Sequence, residues 1–168
     1  NGCCHNWHIL DDVVMGGKSN GNFKLDAQGY GVFEGNVSTE NNGGFSMVQY
    51  SFETKKVTNL TKISMRLKGD GKSYQFRIKS NVKDSYSYVF SFETAGKWEI
   101  IEIPFNSMYP AFRGRKLNAP NYPGNQMERI AFLIGNKKPE SFKLIVDTIV
   151  LGLFWGNIIG LSVLFAQK

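Results

Sequence analysis

Cysteine and histidine are nearly absent from this chain, whose 168 residues hold two of each. All four lie within residues 3–8, so the rest of the sequence offers no His or Cys for a nucleophilic pair or a zinc site. Near neighbours at 3, 4, 5 and 8 do not readily converge on one tetrahedral ion. We therefore expect no metal and no other cofactor. Heptads, repeats and long polar tracts are also missing, which excludes coiled coil, collagen and low-complexity disorder.

The residues that are present describe a globular chain with a basic surface. Hydrophobic residues make up 42% and charged residues 20%, which is ample for the core of one domain. The formal net charge of +6 permits an acidic partner without naming one. Because the lysines and arginines are scattered and are not interleaved with aromatics in a recognition motif, we expect no nucleic-acid partner.

The dominant hydrophobic period is two, which is typical of half-buried strands. In residues 62–68, for example, Ile63, Met65 and Leu67 alternate with polar side chains. One apolar and one polar face per strand predicts two antiparallel sheets packed face to face, an all-β jelly-roll sandwich. We predict a short helical turn within 105–110 and a long ordered loop over 109–126. The eight predicted strands are 31–38, 45–52, 62–68, 74–80, 86–93, 98–103, 129–134 and 142–151.

The C-terminal end is apolar, with no charged residue from Thr148 to Ala166. If the last strand runs to Leu151, residues 152–166 make about 22 Å of helix, short of the ~30 Å of a hydrocarbon core. We therefore predict one domain over residues 1–151 and an apolar extension over 152–168. We expect the extension to dock on the domain, to lie on a membrane, to span it, or to be a tail foreign to the family named below. We expect a cytoplasmic protein, with membrane association through 152–166 as the alternative.

Candidate chemistry is sparse. Asp11 and Asp12 are adjacent, so in an extended segment they point in opposite directions and cannot form an acid–base pair. One of them caps a turn or binds Ca²⁺, and a structural role is the favoured reading. Residues 17–19 read Gly-Lys-Ser, like the end of a phosphate-binding loop, but the required earlier glycine is replaced by Asp12. With no convergent catalytic groups, we expect a protein that is not an enzyme.

Aromatic residues offer one further possibility. Tyr74, Tyr86, Tyr88 and Trp98 lie in neighbouring predicted strands and would form a sugar-stacking face if they pointed outward. They occupy the apolar positions of alternating strands, so core packing is the favoured reading.

Four blocks of the sequence stand in a distinctive order: Trp7 to Ser19, Phe33-Glu34-Gly35 with Glu40 to Phe45, Lys68 to Gly71 with Tyr74, and Pro104-Phe105 with Pro110 and Phe112 to Arg115. In this order they resemble the complex I intermediate-associated protein 30 family. This resemblance implies a galactose-binding-domain-like jelly roll and, from the eukaryotic members, a non-catalytic chaperone of respiratory complex I assembly. No catalytic residue is implied. The chain departs from the family pattern at Asp11, where Asn is usual, and at Val13, where Gly is usual.

We expect an assembly module that contacts protein partners, including respiratory-chain or other membrane proteins. Because the fold's relatives include carbohydrate-binding modules, sugar binding is the alternative. The block loops serve either as scaffold, since glycine permits positive φ and close approach, or as a binding rim. The candidate residues are Asp12, Met15, Gly16, Gly17, Ser19, Asn41, Asn42, Gly43, Gly44, Gly69, Asp70, Gly71, Arg113, Gly114 and Arg115.

Overall fold

The structure is a computed structural model that describes residues 6–153 and 163–164. Within these residues the chain forms two antiparallel sheets, with strands numbered along the chain. The seven-stranded sheet has the spatial order β1 (Trp7–Asp11), β4 (Ser46–Lys56), β11 (Gln126–Ile134), β6 (Ser73–Lys79), β7 (Ser87–Glu93), β9 (Tyr109–Phe112) and β10 (Arg115–Lys116). The second sheet has the order β2 (Asn20–Leu25), β3 (Gly31–Val37), β12 (Glu140–Gly152), β5 (Lys62–Lys68) and β8 (Trp98–Pro104), and β13 (Val163–Leu164) pairs with β12.

The core lies between the two sheets and is filled by the apolar side chains of the alternating strands. Ile63, Met65 and Leu67 of β5 are fully buried. Phe76 and Ile78 of β6, in the other sheet, pack into the same core. Burying one such side chain contributes about 1.5–3 kcal/mol. The residues between them on these two strands point outward and are polar. The jelly-roll sandwich predicted from the sequence is confirmed.

All eight predicted strands are present, and a short 3-10 turn at Phe105–Ser107 matches the predicted helical turn. The prediction of a loop over 109–126 is wrong in its first part, because β9 and β10 form a hairpin there. Strands β1 and β2 were not predicted either. β9 has only four residues and includes Pro110, which lacks an N–H and therefore weakens the strand signal.

The apolar C-terminal end begins as sheet. Strand β12 continues to Gly152, and β13 pairs with it at Thr148 and Ile149. The rest of the predicted extension, residues 154–162 and 165–168, lies outside the described residues, as do Cys3, Cys4 and His5 of the cysteine–histidine cluster. In the part of the chain that is described, no helix has the length and apolar character needed to cross a bilayer.

Candidate functional site

The carboxylate of Asp12 ties two loops together. Asp12 directly follows β1, begins a 3-10 turn that ends at Met15, and is fully buried. Its Oδ1 atom accepts a hydrogen bond from the Ser19 N–H at 3.0 Å. Its Oδ2 atom accepts from the Ser19 hydroxyl at 2.6 Å, the Gly44 N–H at 2.5 Å and the Phe45 N–H at 3.2 Å. The β1–β2 loop and the β3–β4 loop are therefore held together by one side chain.

Two glycines pack against this carboxylate and leave no room for a side chain. A Cβ at Gly17 would lie 2.3 Å from Oδ1 of Asp12, and a Cβ at Gly43 would lie 2.5 Å from Oδ2. Burial by itself would raise the pKa of Asp12, but the hydrogen bonds from Ser19, Gly44 and Phe45 outweigh it and hold the pKa below its usual value. We call Asp12, Gly17, Ser19, Gly43 and Gly44 the Asp12 junction.

Further contacts reinforce the Asp12 junction from its exposed side. The Asn41 amide donates to the Gly16 carbonyl at 2.9 Å, and Lys18 forms an ion pair with Glu40. Gly16 has φ +86°, and Asn41 and its neighbour Asn42 have φ +56° and +60°, a left-handed conformation that asparagine tolerates better than most residues. Residues 17–19 are followed by strand β2 rather than by the helix that a phosphate-binding loop requires.

Asp11 points to a different set of partners from Asp12, as the alternation predicts. Its carboxylate accepts from the Gly21 N–H at 2.8 Å and from the Ser46 hydroxyl at 2.5 Å. Neither aspartate therefore faces the other, and both serve as ties between backbone segments. No group of three or more His, Cys, Asp or Glu residues with metal-binding geometry occurs among residues 6–153.

The predicted loop at residues 69–71 forms a second tie, between the β5–β6 loop and β12. The Asp70 carboxylate accepts from Lys72 Nζ, the Tyr74 hydroxyl and the Lys143 N–H, each at 2.9 Å. Burial would raise the pKa of Asp70, but the hydrogen bonds from Lys72, Lys143 and Tyr74 lower it below its ordinary value.

The two glycines on either side of Asp70 have separate roles. A Cβ at Gly69 would lie 2.3 Å from the Thr94 side chain, so close packing requires glycine there. Gly71 has φ +82° and donates its N–H to Thr94 Oγ1 at 3.0 Å. The loop is therefore built for local packing.

Residues 113–115 lie in the exposed turn of the β9–β10 hairpin. Arg113 and Gly114 have φ +47° and +75°, as a two-residue hairpin turn requires, and Arg115 begins β10. This hairpin and β1 are at opposite edges of the seven-stranded sheet. The predicted site residues fall into three groups on different loops, and Arg113 of the hairpin lines the same cleft as Leu10 of β1.

The sequence analysis missed a cleft on the outer face of the seven-stranded sheet. The cleft has a volume of about 260 Å³, and among the described residues no Asp or Glu lines it. We call it the basic cleft. Its lining is Leu10, Met47, Gln49, Arg77, Ile78, Lys79, Ser85, Ser87, Ala111, Phe112, Arg113, Arg129 and Ala131. The sequence signal that could have predicted this cleft is the placement of Arg77 and Lys79 at alternate positions on the polar side of a central strand.

The cations of the basic cleft lie close to one another. Lys79 and Arg129 are cross-strand partners, and Arg77 is two residues from Lys79 on the same face. Burial, followed by the charge of Arg129, lowers the pKa of Lys79, whose ammonium donates to the Asp84 carbonyl. Burial also lowers the pKa of Arg77, and its Nε is buried without a hydrogen-bond partner.

The aromatic residues considered for sugar stacking are engaged elsewhere. Tyr74 and Tyr88 are buried in the core, as predicted, and Tyr86 packs against it. Trp98 lies on the second sheet, where the guanidinium of Arg66 covers its ring at 4.4 Å from the centroid. None of these four rings lines the basic cleft.

Comparison with solved structures gives the class of fold. The fold is a galactose-binding-like jelly roll of the kind found in carbohydrate-binding modules. It superposes on the family 11 module of a Clostridium thermocellum cellulosomal cellulase with a TM-score of 0.63, 21% identity and 90% coverage of both chains. The same family's module in complex with a β-1,3-1,4-mixed-linked tetrasaccharide gives a TM-score of 0.61, 21% identity, and 90% and 91% coverage. At these identities the likeness shows the fold alone.

The particular family follows from the sequence. Residues 2–146 match the family described as complex I intermediate-associated protein 30, and the chain belongs to that family. A curated relative is the Drosophila melanogaster protein "Complex I intermediate-associated protein 30, mitochondrial", which is 26% identical. The alignment covers 79% of this chain and 52% of the relative, so the chain spans about half of that protein's length.

Proposed function

We propose that this chain is a non-catalytic binding module that acts by protein–protein contact in the assembly of respiratory complex I. The observation that carries the proposal is family membership over residues 2–146, nearly all of the described sandwich. The Drosophila relative is named as a complex I intermediate-associated protein. The partner class is a respiratory-chain protein or another membrane protein.

A non-catalytic role is supported by the way the carboxylates are used. Asp12 accepts four hydrogen bonds and Asp70 accepts three, all from donors of the chain itself. A general base must instead face a bound substrate with a free lone pair. We propose that the loops around the Asp12 junction, with the hairpin turn at 113–115, frame the protein-binding surface.

Site-directed photo-cross-linking tests this proposal. A photoreactive residue is placed at Lys18, beside the Asp12 junction, or at Arg115, in the hairpin, because both side chains are exposed. The matched control is Lys97, exposed in the turn before β8. The full chain is then irradiated with solubilised respiratory membranes of its host. We expect complex I subunits to be cross-linked from Lys18 or Arg115 and not from Lys97.

The outcome that would overturn the assembly role is equally direct. If no respiratory-chain or other membrane protein is recovered from Lys18 or Arg115 above the Lys97 control, protein-mediated assembly through these loops is wrong. Thermal melts of the three labelled proteins must agree with the unlabelled chain, so that a negative result cannot come from unfolding.

Carbohydrate binding is the second candidate, favoured by the TM-score of 0.63 to a carbohydrate-binding module and by the cleft on the outer sheet face. Phe112 is the aromatic side chain lining that cleft and is 39% exposed. Affinity electrophoresis on a panel of glucans tests this candidate. Retardation that Phe112→Ala abolishes would support it, and equal mobility on every glucan would exclude it.

A further inference from the structure

The basic cleft concentrates positive charge in the middle of a sheet. Arg129 pairs across the strands with Lys79, and Ala131, two residues further along, pairs with Arg77. Like charges placed directly opposite each other on one sheet face destabilise the pair. Arg113 adds a fourth cation at the cleft wall. The charge of Asp84 offsets part of this repulsion at Lys79, and an anion bound among the cations would offset more of it.

Two of these cations, Arg77 and Arg129, have hydrogen-bond donors that the protein itself does not use, whereas Lys79 donates to the Asp84 carbonyl. The salt bridges among the described residues include none from Arg77, Lys79 or Arg129. The Arg129 Nε donates to the Ser51 hydroxyl at 2.8 Å, which leaves its terminal amines for another acceptor. The Arg77 Nε is buried with no acceptor at all. A buried donor without a partner is costly, and a guanidinium binds an anionic acceptor such as a carboxylate more strongly than a neutral one.

The rest of the lining favours a peptide over a sugar. Leu10, Met47 and Ala111 supply apolar wall next to the cations, which suits the hydrophobic side chains of a polypeptide. Stacking of a pyranose would require an aromatic side chain whose flat face is open to solvent. Phe112, the aromatic side chain in the lining, has the Arg113 guanidinium over its ring at 5.2 Å from the centroid, and Tyr109, on the same face as the cleft, has the Lys116 ammonium over its ring at 5.3 Å. The cleft volume of about 260 Å³ holds a few side chains, below the roughly 300–1,000 Å³ of small-molecule pockets.

We propose that the basic cleft is the docking site for an acidic, extended segment of a protein partner, whose carboxylates are bound by Arg77, Lys79 and Arg129. This inference rests on the proposed function, because that function makes a protein the partner. It assigns recognition to residues outside the four sequence blocks, with the hairpin at 113–115 as the cleft's outer wall.

Fluorescence anisotropy with a labelled eight-residue peptide of alternating Glu and Ser tests the inference. The test variant is Lys79→Gln/Arg129→Gln. The matched control is Lys24→Gln/Lys138→Gln, which removes two exposed charges that do not line the cleft. We expect the test variant to bind at least about tenfold more weakly than the wild type, and the control to bind within about twofold. Added salt should weaken wild-type binding, because screening reduces charge attraction.

Arg77→Lys is a second variant that tests whether weaker peptide binding results from misfolding. It keeps the charge but removes the buried Nε donor and the planar fork, so we expect weaker peptide binding with an unchanged thermal melt. Equal affinity of wild type and test variant, or equal binding of a Gln-Ser peptide, would overturn the inference. Tighter binding of oligogalacturonate than of the Glu-Ser peptide would also overturn it, in favour of an acidic polysaccharide.

The same variants separate this inference from the proposed function. If Lys79→Gln/Arg129→Gln loses the peptide but the photo-cross-links from Lys18 or Arg115 persist unchanged, the assembly role stands and the cleft is not its docking site. If the wild type binds the peptide but yields no cross-linked membrane protein, the cleft binds acidic segments and the assembly role is wrong. If the variant loses both peptide binding and the photo-cross-links, the result supports the inference and the proposed function together.

Discussion

The Asp12 junction makes a quantitative prediction for Asp12→Asn. The isosteric amide retains one oxygen, which is best placed at the Oδ2 position, where Ser19, Gly44 and Phe45 donate. Its NH₂ group then faces the Ser19 N–H, which donates to Oδ1 at 3.0 Å in the wild type. Two buried donors are thereby set against each other, and the three remaining hydrogen bonds lose their charged acceptor.

The expected cost is about 3 kcal/mol, because a buried donor left unsatisfied costs roughly 1–3 kcal/mol and charge-assisted bonds are the stronger kind. For a domain of this size that lowers Tm by about 6–12 °C. Asp11→Asn is the matched control. Its amide can accept from Gly21 N–H and donate to Ser46 Oγ, which replaces both native contacts, so we expect a loss of less than about 1 kcal/mol.

Urea unfolding followed by circular dichroism, at neutral and acidic pH, measures both variants. The pKa of Asp12 is depressed from its ordinary value of 3.8 in the folded state. Its charged form therefore stabilises the fold fully above that value, and the contribution is lost as the pH falls through the folded pKa. The gap between wild type and Asp12→Asn should shrink in acid. If Asp12→Asn costs no more than Asp11→Asn at neutral pH, the account of the junction is wrong.

Two further predictions concern packing and ionisation. Gly17→Ala should destabilise by well over the about 1 kcal/mol expected for Gly16→Ala, because a Cβ at 17 lies 2.3 Å from a buried carboxylate oxygen while Gly16 has open space; urea unfolding of the two variants checks this. Burial raises the pKa of Tyr88 to about 12 and also raises the pKa of Tyr74 and Tyr122. Their neutral forms stabilise the fold fully below the unfolded pKa of about 10, and this is lost as the pH rises through the folded values. In an ultraviolet titration these three should ionise only on alkaline unfolding, and full tyrosine ionisation near pH 10 in a folded chain would contradict the packing.

The fold could be predicted from the sequence because the signal for it is local. In β5, Ile63 and Leu67 repeat on one face at the spacing of the pleat, so burial pattern and sequence pattern coincide. Where the pattern is short or interrupted the prediction failed. β9 has four residues and a proline, and its hairpin depends on a left-handed pair at Arg113 and Gly114. Such a turn with an arginine in its first position has no strong sequence signature.

The sites could be predicted less well, because they depend on which strands become neighbours. Asp12 binds Gly44, 32 residues away along the chain, and the choice between turn cap, Ca²⁺ ligand and structural tie needed that contact. Alternation places Arg77 and Lys79 on one face of β6, but only the β6–β11 register places Arg129 beside them. Local pattern therefore reveals the face of a strand and not the composition of the surface formed by several strands.

The residues of the Asp12 junction and those of the basic cleft have different relations to the family resemblance. Much of the resemblance is carried by Asp12, Gly17 and Gly43. Both carboxylate oxygens of Asp12 accept hydrogen bonds within the junction, and a Cβ at either glycine would clash with that carboxylate. A match at these positions reports that the loops are built the same way. The basic cleft lies outside those blocks except at Leu10 and at its hairpin wall, and its charge depends on side chains such as Arg77 and Arg129 that the loop scaffold does not constrain. Two chains with the same junction can therefore differ in the surface they present to a partner, and partner specificity has to be argued from the outer sheet face.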